Sequence, residues 1–470
     1  MGVRHQQGTW TQLKLFEQEG SVCHGASGEG GTGAAACEEG QATTALNRKR
    51  ALTSRLMEQV CERDNLNQAY KRVKSNKGAP GIDGMTVGEL YGWIKEHGEG
   101  LKASLLDGSY EPQAVKAVEI PKPSGGTREL GIPTVVDRLV QQAILQVLDP
   151  IIDPTLSESS YGFRRGRNAH QALKQAAEYV EEGREVVVDF DIAKFFDRVN
   201  HDVLMARVAR HVGDKRLLRI IRRYLEGGVM RNGVQVRRYE GTPQGGPLSP
   251  LLANLLLDDL DKELESRGHR FCRYADDCNI YVRTIRAGER VMASVVRFLE
   301  ERLRLRVNPD KSAVAYVEER QFLGYRLLRG GRLGIAPRSL ERAKQRIRAI
   351  TRRNRGTSLG RMIRELNAFV SGWVTYFRYA ACKTALQRLD EWIRRKLRCV
   401  RLKQCKRPKA IFAFLRSLGV PGRSARQLAG SGAGWWRKAG TPQAHQAMSN
   451  AWFRNQGLIS LSGRYAALQP

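Results

Sequence analysis

Two strand-like stretches that end in carboxylates constrain this chain more tightly than any other feature. In "REVVVDFDIAKFFD" the β-branched run Val186, Val187 and Val188 has the character of a buried strand, and Asp189, Asp191 and Asp197 follow it. In "FCRYADDCNIYV", residues 271–282, strand-like flanks surround a tight connection, which predicts a β-hairpin with Asp276 and Asp277 at its tip. A carboxylate pair at a turn is ordinarily just solvated, because Asp is a common turn residue. If the strand and the hairpin are sheet neighbours, however, Asp191, Asp276 and Asp277 converge at one edge. Converging carboxylates repel one another unless a cation neutralises them, and hard oxygen ligands suit magnesium. Two such ions, about 3.5–4 Å apart, clamp the attacking and leaving oxygens of an in-line phosphoryl displacement. The three acids are therefore expected to hold metal.

The charge balance points to the partner. With 79 Lys and Arg against 48 acids the chain carries +31 and a pI near 10.2, which suits a polyanion, nucleic acid first. The excess is uneven: from residue 331 onward 30 basic residues face only Glu341, Glu365, Asp390 and Glu391, so that part holds +26 of the total. It reads as three helices, over "SLERAKQRIRAITRRNRG", "LGRMIRELNAFVSGWVTYFRYA" and "LQRLDEWIRRKLRCVRLKQCKR", each with an apolar stripe at three- and four-residue steps. Arg342, Arg346, Arg352 and Arg353 of the first, and Arg394, Arg395 and Lys396 of the third, are the expected phosphate contacts. At 470 residues the chain is long enough for two or three domains. Its eight cysteines form no CxxC pair and read as reduced thiols of an intracellular protein. No apolar run is long enough to span a membrane and no signal peptide is evident, so a cytoplasmic protein is expected. Residues 20–45 are rich in Gly, Ala, Ser and Thr, and residues 1–50 are expected to form a disordered leader.

Together the motifs resemble a known family. "YADD" on a hairpin, preceded by "DIAKFFD" and "GTPQGGPLSPLLANLLLDDLDKEL", is similar to the palm of the reverse transcriptases encoded by bacterial group II introns. "NKGAPGIDGMT", "IPKPSGGTRELGIPTVVDRLVQQAI", "SSYGFRRGRNAHQAL", "LRVNPDKS" and "QFLGYRL" resemble successive blocks of that family in its order, and "FVSGWVTYFRYA" resembles its thumb and maturase region. The resemblance implies an α+β right-hand polymerase, with fingers and palm over 51–330, a helical thumb and maturase domain over 331–425, and a basic, aromatic segment over 426–470.

The same resemblance implies roles. Asp191 and Asp276 would be the principal ligands of two magnesium ions, with Asp277 beside them and the Ile192 carbonyl assisting. Phe196 matches a steric gate against the ribose 2′-hydroxyl, although an aromatic there could equally be core. Gln244 and Gly245 would lie along the nascent base pair, in a Gly- and Pro-rich loop that is elsewhere often only a turn. Lys122 and Arg128 match residues that bind the incoming triphosphate, and Lys311 a lysine near the pyrophosphate, or else a surface lysine after a turn. Arg164, Arg165 and Arg167 resemble template or intron contacts, although a basic loop is usually solvated.

The implied activity is RNA-directed DNA polymerisation combined with splicing assistance. The implied partners are group II intron RNA, an RNA template with a DNA primer, a deoxynucleoside triphosphate and a DNA target. Nothing in the sequence fixes an oligomeric state. A retron or diversity-generating reverse transcriptase and a splicing-only maturase are the alternatives; the former generally departs from "QGGPLSP" and lacks the long maturase helices. After residue 410 the chain has no cysteine and only His445, so no endonuclease of the His-Asn-His type is expected. Trp435, Trp436, Trp452 and Phe453, interleaved with Arg437, Lys438 and Arg454, suit either stacking on unpaired bases or a small core.

Overall fold

The computed structural model describes residues 53–121, 127–231, 234–236, 238–243 and 245–469. The expected leader and the expected contacts Lys122 and Gln244 lie outside the described residues. The fold is α+β and packs as two compact units. The first takes the described residues up to Ala172 together with Val188–Val314; the second takes Leu173–Val187 and the chain from Ala315 onward.

Two four-stranded sheets are formed among the described residues. Strands β1 (Val115–Pro121), β2 (Thr127–Ile132), β4 (Val229–Arg231) and β5 (Val234–Val236) form one in the order β2-β1-β4-β5, in which Arg128 stands opposite Ile120. The other has the order β6-β7-β3-β8, from β3 (Val186–Phe190), β6 (Arg270–Tyr274), β7 (Asp277–Val282) and β8 (Ala313–Tyr316). The β-branched run does become a strand buried at Val186, Val187 and Val188, and "FCRYADDCNIYV" folds as the expected hairpin, Tyr274 pairing with Asp277 across a two-residue turn. The Ser249–Ser266 helix is apolar over its first half, and its leucines are buried, as a core helix requires. The Ile285–Arg302 helix buries Gly288, Val291, Val295 and Leu299 along one stripe. At Gly288 a Cβ would stand 2.4 Å from Val314 and 3.4 Å from Val188 and Val282, so glycine is what lets this helix lie close on the sheet.

In the second unit the three expected helices run over Pro337–Ile350, Leu359–Tyr376 and Lys383–Gln404. The first ends sooner than its basic run suggests, leaving Arg352 and Arg353 exposed just beyond it. Ser358 caps the second, accepting from the Arg361 N–H, and Asp390 of the third accepts from the Leu461 and Ser462 N–H groups at 2.8 and 3.0 Å, docking the last helix. Strands β9 (Tyr325–Leu327) and β10 (Leu333–Ile335) pair across residue 331, which is why the compact unit starts ahead of that position. Residues 426–469 fold as short helices against the long helices before them: Phe453, Ala444, Ala447 and Met448 are buried, while Trp436 stays 40% exposed. Of the tail aromatics, Phe453 is thus a core residue. Among the described residues no helix is long and apolar enough to cross a membrane.

Candidate active site

Asp191 is the first residue beyond β3, and the turn over 307–312 holds it by backbone and side chain. Its N–H donates to Ser312 Oγ at 3.0 Å, its carbonyl accepts from the Asn308 N–H at 2.8 Å, and the Ala193 N–H donates to the Arg306 carbonyl at 2.8 Å. Ile192 forms an antiparallel bridge with Val307 whose hydrogen bonds come from the residues on either side of it. The Ile192 carbonyl is therefore not used in that bridge. Lys311 Nζ stands 3.2 Å from Asp191 Oδ2, with both side chains substantially exposed.

Strand β7 is the sheet neighbour of β3. With its amide turned to satisfy both of its polar atoms, Asn279, two residues after Asp277, donates to Asp189 Oδ1 at 3.3 Å, two residues before Asp191. That contact ties β7 to β3 close to the ends that carry Asp277 and Asp191. Asp276 occupies the hairpin turn itself, after Ala275 in a left-handed conformation (φ 61°) that costs a residue with a Cβ about 1–2 kcal/mol.

What keeps the tip in this shape is a group of residues that composition does not single out. Arg273, in the middle of β6 and fully buried, donates to Asp261 (Nε to Oδ1, 2.8 Å), to Asn254 Oδ1 (2.9 Å) and to the Ala275 carbonyl (3.0 Å). Burial works against the guanidinium, but Asp261 beside it holds its pKa above the ordinary value. Asn254 also donates to the Gly162 carbonyl at 2.8 Å, and a Cβ on Gly162 would lie 2.3 Å from the Ala275 nitrogen. The Gly in "SSYGFRR" is thus there because the turn passes against it. An arginine within the run Phe271–Tyr274 was the available signal, since a charge buried there needs a partner.

Phe196 is half-buried beside the fully buried Phe195, with their rings edge to face at 5.1 Å, so the core position belongs to Phe195. Its carbonyl accepts from the Thr242 N–H at 2.6 Å, which ties "GTPQGG" to the segment after β3. Gly245 has φ 135° and lies so close to β2 that a Cβ would sit 2.5 Å from the Gly131 carbonyl oxygen; only glycine fits both demands.

The three arginines of "FRRGRNAH" meet nearby acids. Arg164 is buried, pairs with Asp153 at 2.7 Å and donates to the carbonyls of Asp153, Ser157 and Ser160. Its donors hold the loop together and do not face a phosphate. Arg165 pairs with Asp149 at 2.6 Å but is more than half exposed, and Arg167 pairs with Glu158. Arg342, Arg346, Arg352 and Arg353 are exposed, and Arg394, Arg395 and Lys396 are half-buried.

Among the described residues no three His, Cys, Asp or Glu side chains are gathered closely enough to cage a metal ion. The donors that the site does offer, carboxylate oxygens at the end of β3 and at the tip of the adjoining hairpin, are the hard type that magnesium takes.

This architecture defines a reverse transcriptase domain followed by a helical nucleic-acid-binding unit. Residues 120–327 match the family described as reverse transcriptase (RNA-dependent DNA polymerase), and residues 340–418 match the group II intron maturase-specific domain. The chain belongs to the group II intron reverse transcriptase and maturase family. It is 32% identical to protein YkfC of Escherichia coli over 58% of its own length and 83% of that protein's. It is 38% identical to the group II intron-encoded protein LtrA of Lactococcus lactis over 41% of its length, spanning 32% of that protein. Among solved structures, a chain of a partial Cas6-RT-Cas1–Cas2 complex is 26% identical over 52% of this chain and 42% of that one, with a TM-score of 0.35.

Proposed function

We propose that the chain is an RNA-directed DNA polymerase that also binds its intron RNA to assist splicing and supports intron mobility. The observation that carries this reading is the order of its parts. A reverse transcriptase domain with acids on adjoining strands precedes a maturase-specific domain that holds most of the positive charge. That second match also favours this reading over a retron or diversity-generating enzyme.

In this reading residues 51–330 are fingers and palm, 331–425 thumb and maturase, and 426–470 a segment that contacts DNA. Asp191, Asp276 and Asp277, with the Ile192 carbonyl, would hold two magnesium ions, which would lower the pKa of the primer 3′-hydroxyl and neutralise phosphate charge. Lys122 and Arg128 bind the triphosphate of the incoming deoxynucleotide. Lys311 exchanges its Asp191 partner for the leaving pyrophosphate and donates a proton there. Gln244 and Gly245 lie along the nascent pair between RNA template and DNA primer. Arg164 positions its loop, while Arg165 and Arg167 remain candidates for the template. Intron RNA lies across the basic helices, and the protein works in the cytoplasm. The direct test is extension of a DNA primer on an RNA template; intron-RNA binding without extension would leave the splicing-only maturase.

Two predictions arise here. Phe196→Ala should relax discrimination against ribonucleotides, because removing a half-exposed ring opens room for a 2′-hydroxyl; measured incorporation ratios equal to the parent's would return Phe196 to a packing role. Changing Arg342, Arg346, Arg352 and Arg353 to Gln should lower the slope of log K against log salt for intron RNA by roughly 3, since each lost phosphate contact removes about 0.7–0.9. A full slope in the variant would place the RNA elsewhere on the surface.

A further inference from the structure

In the second unit the Lys383–Gln404 helix and the folded tail enclose a cleft of about 590 Å³. Arg388, Trp392, Arg395, Arg398 and Trp436 line it, and Glu391 is its acidic member. An adjoining cleft of about 360 Å³ shares Arg388 and Trp392 and adds Lys344 and Arg348.

Arg348 pairs with Glu341 at 2.6 Å, but the buried Arg398 lacks the counter-charge that burial normally demands. Arg398 is only 4% exposed, yet its donors go to the Met448 carbonyl (3.0 Å) and His445 Nε2 (3.3 Å), and no carboxylate pairs with it among the described residues. Burial, and then Arg394 beside it, pull its pKa down to about 10. His445 is held below its ordinary value by burial and by Arg398, Arg395 and Arg394, which leaves it a neutral acceptor. Arg395 donates to the Trp436 carbonyl at 3.2 Å while its Nε stays buried with no partner. Burial and Arg348 also lower the pKa of Lys396. An anion in the cleft would relieve this unbalanced charge.

The rings give the anion a class. Arg395 lies 4.2 Å over the Trp436 ring, Lys396 lies 4.8 Å over Trp392, and Arg348 lies 5.7 Å over Trp392. Trp436 keeps 40% of its surface open to solvent. Aromatic faces backed by cations and set beside unpaired guanidinium groups suit a base next to its phosphate.

We infer that this cleft is a binding site for single-stranded nucleic acid, with bases stacked on Trp392 and Trp436 and phosphate held by Arg388, Arg395 and Arg398. The inference rests on reading the second unit as nucleic-acid-binding, and names which strands and residues are engaged. A helical duplex cannot use it, because its bases are stacked on one another.

The test uses the full chain and three labelled probes: a short oligo-dT, an oligo-rU and a blunt duplex of equal length. Trp436→Ala and Trp392→Ala should each weaken binding of at least one single strand roughly tenfold while changing duplex binding by less than about twofold. Trp436→Phe should keep most of the affinity, which separates stacking from misfolding. The single strand that loses more identifies the cleft as a DNA or an RNA site. Equal losses on single strand and duplex, or no loss on either, would overturn the inference. So would a parent that binds duplex and intron RNA but neither single strand, leaving the maturase reading in place; a parent that binds no probe and no intron RNA would remove both.

Discussion

Replacing Asp276 and Asp277 with Ala is expected to lower primer extension on an RNA template by about three orders of magnitude or more, while intron-RNA binding stays within about twofold. The size follows from the chemistry. Each 1.36 kcal/mol of lost transition-state stabilisation is a factor of ten, and charge neutralisation by metal supplies several kcal/mol. The selectivity follows from the placement of charge, since +26 of the net +31 lies beyond residue 330, whereas the acids sit on β7 and in the turn before it. Removing two carboxylates from that turn takes away local negative charge but no phosphate contact. Primer extension measured beside filter binding of intron RNA checks both halves. A variant that lost binding and extension in parallel would show that the hairpin supports the RNA surface, and the proposed division of labour would fall.

The acids were legible because their signals are local. A β-branched run, a period-two alternation and a two-residue connection need no tertiary information, and β3, β6 and β7 formed where those patterns lie. The helices were legible for the same reason: Ala343, Ile347 and Ile350 recur on one face and are buried together. Partners were not legible. Arg164, Arg165 and Arg167 look in sequence like a basic loop waiting for phosphate, yet Asp149, Asp153 and Glu158 meet them, because the turn between helices brings that acidic stretch back onto the loop. Charge type is written in the chain, but the neutralising group is set by the fold. Trp392 and Trp436 illustrate the same limit, since the two rings line one cleft only after the tail has folded onto the long helix.

Arg273 shows how far such hidden pairing reaches, and it supports the second large prediction. Asp261→Asn should destabilise the first unit by about 3–5 kcal/mol, because the buried guanidinium keeps its charge and loses its counter-ion. Hydrogen exchange of the amides over 270–282 should then accelerate by roughly two to four orders of magnitude if the hairpin opens with the unit. Replacing both members, Asp261→Leu with Arg273→Met, should recover most of that stability, since a buried ion pair is often no better than apolar groups of similar volume. Activity should not recover with it. Arg273 also donates to the Ala275 carbonyl and to Asn254, which in turn holds Gly162 against the turn, so the double variant frees a strained left-handed residue directly before Asp276. The expected result is therefore slow hydrogen exchange together with weak primer extension, caused by a tip that is folded but poorly aimed. Full extension in a stable double variant would mean that Arg273 serves only the core, and that the turn keeps the Asp276 geometry unaided.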